Sequence, residues 1–243
     1  MYQNYLFDLY GTLVDIHTDE YNENFWKDIA MLYSLNGAYY RPDEIHQKYD
    51  ELLQVQIAKV PKENYSTNPE PQIEYVFQGL FTAKGIPCSM EMACLIGRSF
   101  RTISMSYIRL YEGVKELFDA IDSHGGKAYL LSNAQRIFTE PEIRLLGIYD
   151  RFEDVMISSD EGCAKPDVKF YQRMISKHHL DPKKTIMIGN DEITDIKGSH
   201  DAGLDSLYLH TNISPEIKGR LLSTYTVMSG SLIEARKLLF PDT

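Results

Sequence analysis

Tyr5-Leu6-Phe7-Asp8-Leu9-Tyr10-Gly11-Thr12-Leu13-Val14-Asp15 is the stretch on which the reading of the fold turns. Tyr5, Leu6 and Phe7 form a short apolar, aromatic run of the kind that makes a buried strand. An acid, Asp8, ends it abruptly, and Gly11 and Thr12 follow as loop residues. An open α/β sheet binds its ligands at the carboxyl ends of its strands, so Asp8 stands where a reactive carboxylate would sit. Taken alone, the run is also compatible with a surface aspartate closing an edge strand.

The rest of the chain supplies the context. After Asp15 the apolar spacing turns helical, from about Tyr21 to Met105, broken at Asn36-Gly37, Pro42, Pro61, Asn68-Pro69-Glu70-Pro71 and Gly85-Ile86-Pro87. Four helices are expected there, over 23–35, 42–60, 73–84 and 89–110, with Pro42 and Ser89 as start signals. From Leu110 onward short strands (127–131, 154–157, 185–188, 206–209, 225–228) alternate with helices, including one starting at Pro141 and one running to about Ala202. Strands separated by helices pair in parallel with right-handed crossovers. The expected architecture is a doubly wound α/β core, residues 1–15 and 110–243, interrupted by an all-helical cap, residues 16–109.

Bulk properties narrow the function. The 243 residues carry a formal net charge of -10, which argues against a sequence-independent grip on nucleic acid or anionic lipid. No apolar run is long enough to span a bilayer, and no early segment reads as a signal peptide. Cys88, Cys94 and Cys163 form no even disulfide framework, which fits a reducing, cytoplasmic setting. Oligomeric state is not legible.

Four strand ends carry chemistry: Asp8 after the first, Ser132 and Asn133 after the second, Lys165 on the loop beyond the third, and Asn190, Asp191 and Asp195 after the fourth. Singly, each has an ordinary structural explanation: a cap, a solvated cation, acids favoured at a helix start. In a parallel sheet all four ends share one edge, so the groups converge. A carboxylate there can attack phosphorus or an activated carbon and form a covalent intermediate. Clustered acids call for a compensating cation, and a hard ion such as Mg2+ accepts one or two carboxylates with water and phosphate oxygen. Thr12, Ser132 and the amides around Gly11 could hold the oxygens of a transferring phosphoryl group.

These motifs, Asp8-Leu9-Tyr10-Gly11-Thr12-Leu13, Ser132-Asn133, Lys165-Pro166-Asp167 and Gly189-Asn190-Asp191 with Asp195, resemble those of the haloacid dehalogenase superfamily over essentially the whole chain. The resemblance implies an aspartate nucleophile at Asp8, group binding by Thr12 and Ser132, and charge compensation by Lys165. It implies Mg2+ held by Asp8, the backbone carbonyl of Tyr10 and the motif Asn190, Asp191, Asp195, and a cap that selects a small-molecule substrate. Two departures stand out. Tyr10 occupies the place where the family's phosphatases carry an acid, as in its 2-haloacid dehalogenases, and a phenol is a poor proton donor near neutral pH. Asn190 stands where a metal-binding aspartate is common, while Asp191 and Asp195 still read as a cation site that dehalogenases do not need. The expected function is a hydrolase: a Mg2+-dependent phosphatase for a small phosphorylated metabolite, with a metal-independent 2-haloacid dehalogenase or a catalytically weak phosphometabolite-binding protein as alternatives. Arg41 in the cap reads as a solvated loop arginine, and the cap aromatics as helix packing.

Overall fold

The computed structural model describes residues 1–241. The chain begins with β1 (Asn4–Phe7) and β2 (Val14–Thr18), and then enters four helices: α1 (Phe25–Leu35), α2 (Pro42–Lys59), α3 (Glu74–Thr82) and α4 (Met90–Ser104). β3 (Met105–Leu110), α5 (Val114–Ser123), β4 (Lys127–Ser132), α6 (Arg136–Leu145), β5 (Asp154–Ile157), α7 (Ser158–Glu161) and α8 (Val168–His178) follow. β6 (Thr185–Gly189), a π-helical turn (Glu192–Lys197), α9 (Gly198–Asp201), β7 (Asp205–Leu209), β8 (Tyr225–Val227) and α10 (Leu232–Leu239) complete it.

Six strands form a parallel sheet in the order β5-β4-β1-β6-β7-β8, which puts β1 between β4 and β6. Phe7 is in register with Leu130 on one side and Ile188 on the other, and the Asp8 amide donates to the Ile188 carbonyl at 3.0 Å, carrying the ladder into the acid itself. Side chains alternate along β1. Tyr5 and Phe7 join a cluster with Phe118 of α5 and Leu232 of α10, whereas Leu6 faces Phe170, Tyr171 and Met174 of α8. With both faces covered by helices, the central strands read as unbroken apolar runs. No helix among the described residues is long and apolar enough to cross a membrane.

The inserted helices close on their own cluster, with Phe25, Tyr33, Tyr49, Phe77 and Phe100 at its centre and Ile137 of α6 joining from the core. Further ties run to the loop between α2 and α3. Asp167 accepts from the amides of Ser66 and Thr67 (2.5 and 2.7 Å), Ala164 donates to the Asn68 carbonyl (2.9 Å), and Gln135 binds Glu70, Pro71 and Ile73 (2.5, 3.1 and 3.0 Å).

Two expectations need correction. The helix expected over 89–110 stops at Ser104, and 105–110 is a strand pairing antiparallel with 14–18, so the insert is not all-helical at its two junctions. Buried Asp15 pins this ribbon, accepting from Tyr107, Arg109 and Asn212. The helix expected to start at Pro141 starts at Arg136, because the Ser159 hydroxyl accepts the Arg136 amide (3.1 Å) and satisfies that terminus from outside; Pro141 lies within it. The helix expected up to Ala202 runs without a break from Glu192 to Asp201, its first part wound as a π-helix and its last as α9.

Candidate active site

The strand ends of β1, β4 and β6 and the loop beyond β5 meet as the sheet order requires. Lys165 Nζ donates to Asp8 Oδ1 at 2.8 Å and to Asp195 Oδ1 at 2.6 Å. The side chains of Lys165 and Asp195 are 1% exposed, whereas that of Asp8 keeps 12%, so of the three Asp8 alone presents itself to a ligand. Asp195 Oδ2 accepts from the amides of Asn190 and Asp191, both at 3.0 Å. The π turn produces this arrangement by winding Asp195 back beneath the end of β6. Gly189 makes room, since a Cβ there would stand 2.3–2.4 Å from the Asp195 carboxyl.

Electrostatics follow from the geometry. Burial works against charge on Lys165, but the Asp195 and Asp8 carboxylates outweigh it and push the ammonium above its ordinary value. Burial also pushes Asp195 up, with Lys165 opposing and the like charge of Asp8 adding to the rise. These two directions bear on one pair. Three donors converge on the two Asp195 oxygens, so the pair is carboxylate and ammonium.

Thr12 Oγ1 lies 3.3 Å from Asp8 Oδ2 and 3.4 Å from Asn190 Oδ1, and the Asn190 amide group reaches Ser214 Oγ at 3.4 Å. Gly11, at φ +86°, permits this approach: a Cβ on it would stand 2.2 Å from Asn190 Nδ2. Among the described residues Ser132 Oγ is buried with no hydrogen-bond partner, an uncommon condition for a buried hydroxyl. The strand register places it on β4, one strand over from Asp8.

Other expected site residues stand differently. Asn133 is turned to the Lys165 loop, donating to the Lys165 carbonyl at 2.9 Å and accepting the Lys165 amide at 2.7 Å; it holds the loop in place. Asp191 caps the π turn, its Oδ1 accepting from Ile193 and Thr194 at 2.7 and 2.8 Å. The Gly11 and Thr12 amides are spent within their own turn, on Val14 O and Leu9 O (2.8 and 3.2 Å). Arg41 is exposed and pairs with Asp43, as its loop setting suggested.

Tyr10 points away from Asp8's partners toward the insert. Its hydroxyl lies 2.5 Å from Glu142 Oε2 and 3.0 Å from Thr139 Oγ1, both on α6. Glu142 Oε1 accepts Arg101 Nε of α4 at 2.7 Å, and the Arg101 guanidinium lies 5.4 Å from the Tyr10 ring centre. Burial, then the Glu142 carboxylate, pushes the phenol well above its ordinary value. Neither Arg101 nor Glu142 was singled out in the sequence. Both lie on helices whose crossing no local pattern announces, and the same holds for Thr211 and Ser214 beyond β7, where Thr211 Oγ1 donates to Gly11 O at 2.7 Å.

Oxygens a hard cation could use lie at this edge: Asp8 Oδ2 and Asn190 Oδ1 both face Thr12, while Asp191 Oδ1 and both Asp195 oxygens are engaged elsewhere. Among the described residues no three His, Cys, Asp or Glu side chains form a ready-made cage. The donor chemistry, a carboxylate and an amide oxygen, suits Mg2+, which takes one or two protein oxygens and completes its shell with water and substrate phosphate.

The family model for haloacid dehalogenase-like hydrolases matches residues 5–209. The chain is 23% identical over 205 residues to glyceraldehyde 3-phosphate phosphatase of Pyrococcus furiosus, covering 83% of this chain and 78% of that one. N-acetylmuramic acid 6-phosphate phosphatase of Pseudomonas aeruginosa is 29% identical over 112 residues, 44% of this chain and 49% of its own. Among solved structures, the magnesium-bound HAD-hydrolase YfnB of Bacillus subtilis superposes with a TM-score of 0.57 at 19% identity, covering 98% of this chain and 99% of that one. A 2-haloacid dehalogenase from Pseudomonas syringae pv. Tomato DC3000 superposes at 0.66 and 16% identity, covering 99% and 100%. With the family model matching most of the chain on a sheet whose strand ends gather Asp8, Ser132, Lys165 and Asp195, the chain belongs to the haloacid dehalogenase-like hydrolases.

Proposed function

We propose that this hydrolase is a phosphatase acting on a small phosphorylated metabolite, with Asp8 as the nucleophile. The observation that carries the reading is the pairing of a partly accessible Asp8, held by Lys165, with the buried, unpartnered hydroxyl of Ser132 on the neighbouring strand. That hydroxyl lacks a partner that a phosphoryl oxygen would supply. Asp8 attacks phosphorus to give an aspartyl-phosphate, which water hydrolyses. Thr12 and Ser132 orient the equatorial oxygens, Lys165 offsets their charge, and Asp195 and Asn133 keep Lys165 in place. Asp8, Asn190 and the Tyr10 carbonyl would hold Mg2+; when bound, the ion adds positive charge against the phosphoryl oxygens. The inserted helices, approximately residues 16–109, form the cap that selects the substrate. Three cysteines without a disulfide support a cytoplasmic setting.

One observation favours a second reading. The Tyr10 hydroxyl is bonded to Glu142 and supplies no acid, which suits a halide leaving group and thus a 2-haloacid dehalogenase. The two readings separate by assay: phosphate release from a metabolite panel with Mg2+ or with EDTA, and halide release from 2-chloropropionate. Phosphate release abolished by EDTA and by Asp8→Asn supports the phosphatase. Halide release without phosphate release overturns it.

A further inference from the structure

We propose that Asp167 is a positioning residue for the reaction at Asp8: its carboxylate fastens the Lys165 loop to the bend at Ser66 and Thr67 of the insert, so that Lys165 meets Asp8 only while that bend is seated. The proposal rests on the phosphatase reading for its kinetic readout, and it gives the insert a second task, the support of a charge inside the site.

Asp167 closes the Lys165-Pro166-Asp167 motif and takes no part in the chemistry assigned to Asp8. Its ordinary role is visible at the start of α8, where Oδ1 accepts the Lys169 amide at 3.1 Å as a helix cap does. A cap uses one oxygen. The other, Oδ2, accepts the Ser66 and Thr67 amides of the insert at 2.5 and 2.7 Å, and Asp167 as a whole is 4% exposed. Burial works against a charge here, but the amides of Thr67, Ser66 and Lys169 outweigh it and hold the carboxyl below the usual carboxylate range. Hydrogen bonds to an ionised acceptor are roughly twice as strong as neutral ones, so this is a firm tie between insert and core.

The same bend grips the loop again on the other side of Lys165. The Ala164 amide donates to the Asn68 carbonyl at 2.9 Å, so residues 164 and 167, which flank Lys165, are both tied to residues 66–68. From the core side, Asn133 holds the Lys165 carbonyl and amide at 2.9 and 2.7 Å. Lys165 thus stands in a loop gripped from two sides, and from there its Nζ reaches Asp8 at 2.8 Å and Asp195 at 2.6 Å. Releasing the insert's grip frees both flanks of the lysine, and misplacing such a group by about 1 Å can cost about 100-fold in rate. A neighbouring tie serves as contrast. Arg173 of α8 donates to the Asn64 and Glu161 carbonyls, both at 2.5 Å, and so joins the same segment of the insert to the core through other residues.

The test compares three variants with the unaltered enzyme, using para-nitrophenyl phosphate and Mg2+ for kinetics and hydrogen exchange for the loop. Asp167→Asn keeps a capping oxygen for Lys169 and turns an NH2 group on the two insert amides; Asp167→Ser, shorter and also a good cap, is the second variant. Arg173→Met is the control. Both Asp167 variants should lower kcat on the order of 10- to 100-fold with KM held within about threefold, and should speed exchange at the Ala164 and Lys165 amides. Arg173→Met should keep kcat within about twofold and leave exchange at those two amides unchanged. The proposal is overturned by Asp167 variants that keep kcat, that raise KM alone or that leave exchange unchanged, and by an equal loss of kcat in Arg173→Met. Failure of both Asp167 variants to fold overturns it as well, for the residue is then needed by the fold rather than by the site. No phosphate from this probe or from the metabolite panel with the unaltered enzyme overturns the phosphatase reading instead, and exchange still decides whether Asp167 holds the loop.

Discussion

Replacing Asp195 by asparagine probes the buried charge arrangement most directly. An amide in that position has one acceptor and one donor end, whereas every neighbour of Asp195 is a donor: Lys165 Nζ at 2.6 Å on one oxygen, the Asn190 and Asp191 amides at 3.0 Å on the other. With its oxygen toward the amides, the new NH2 group faces the ammonium; turned round, it faces two N–H groups. The first arrangement loses least, and it still breaks the ion pair. Two unit charges 2.6 Å apart attract by about 6 kcal/mol at an effective dielectric of ~20. Burying an amide costs less than burying a carboxylate, which returns part of that, so the expected net destabilisation is about 3–5 kcal/mol. Urea unfolding followed by circular dichroism at pH 7 measures it. Lys165, held then only by Asp8, should shift, with kcat down about 100-fold. A variant destabilised by less than about 1 kcal/mol would refute the premise that three donors depend on this one carboxylate.

Other perturbations test separate contacts. Asn133→Ala removes both hydrogen bonds to the Lys165 backbone, so a loss of about 2–3 kcal/mol in the same unfolding assay and a lowered kcat with little change in KM are expected. Asp191→Asn should cost under about 0.5 kcal/mol and leave the Mg2+ dependence of phosphate release unchanged, because asparagine caps as well as aspartate. Gly11→Ala drives a Cβ to 2.2 Å from Asn190 at φ +86°, and should lose at least about 1–3 kcal/mol together with activity. Glu70 is pushed by burial from 4.5 up to about 7, so the folded state binds its proton more tightly than the unfolded chain does. Its contribution is therefore fully present below pH ~4.5 and lost as the pH rises through about 7, a swing of at most about 3 kcal/mol. Glu70→Gln should remove that part of the pH dependence when urea midpoints at pH 5 and pH 8 are compared.

Residues far apart in sequence could be placed together because a parallel sheet brings its strand ends to one edge whatever lies between them. Asp8, Ser132, Lys165 and Asp195 were found that way. Topology does not say which donor each acid meets. Asp191 and Asp195 looked alike as acids beyond β6, and only the winding of the π turn separates a capping residue from the partner of Lys165. The ribbon was hidden for a different reason. Met105–Leu110 prolongs the apolar spacing of α4, and its strand state is decided by pairing with Val14–Thr18 at the opposite end of the insert. A local period cannot distinguish the two when the deciding partner lies outside the window.

Tyr10 combines both kinds of evidence. Its residue type already marked it as a poor proton donor, but the reason it is also unavailable is tertiary: α4 and α6 bring Arg101 and Glu142 together at its hydroxyl. Tyr10 follows Asp8 by two residues, Glu142 belongs to helix α6, and Arg101 sits in the last turn of α4 before β3. The contact that occupies the phenol thus also joins the Asp8 loop to the inserted helices. An aspartate at this position would be too short to make both contacts.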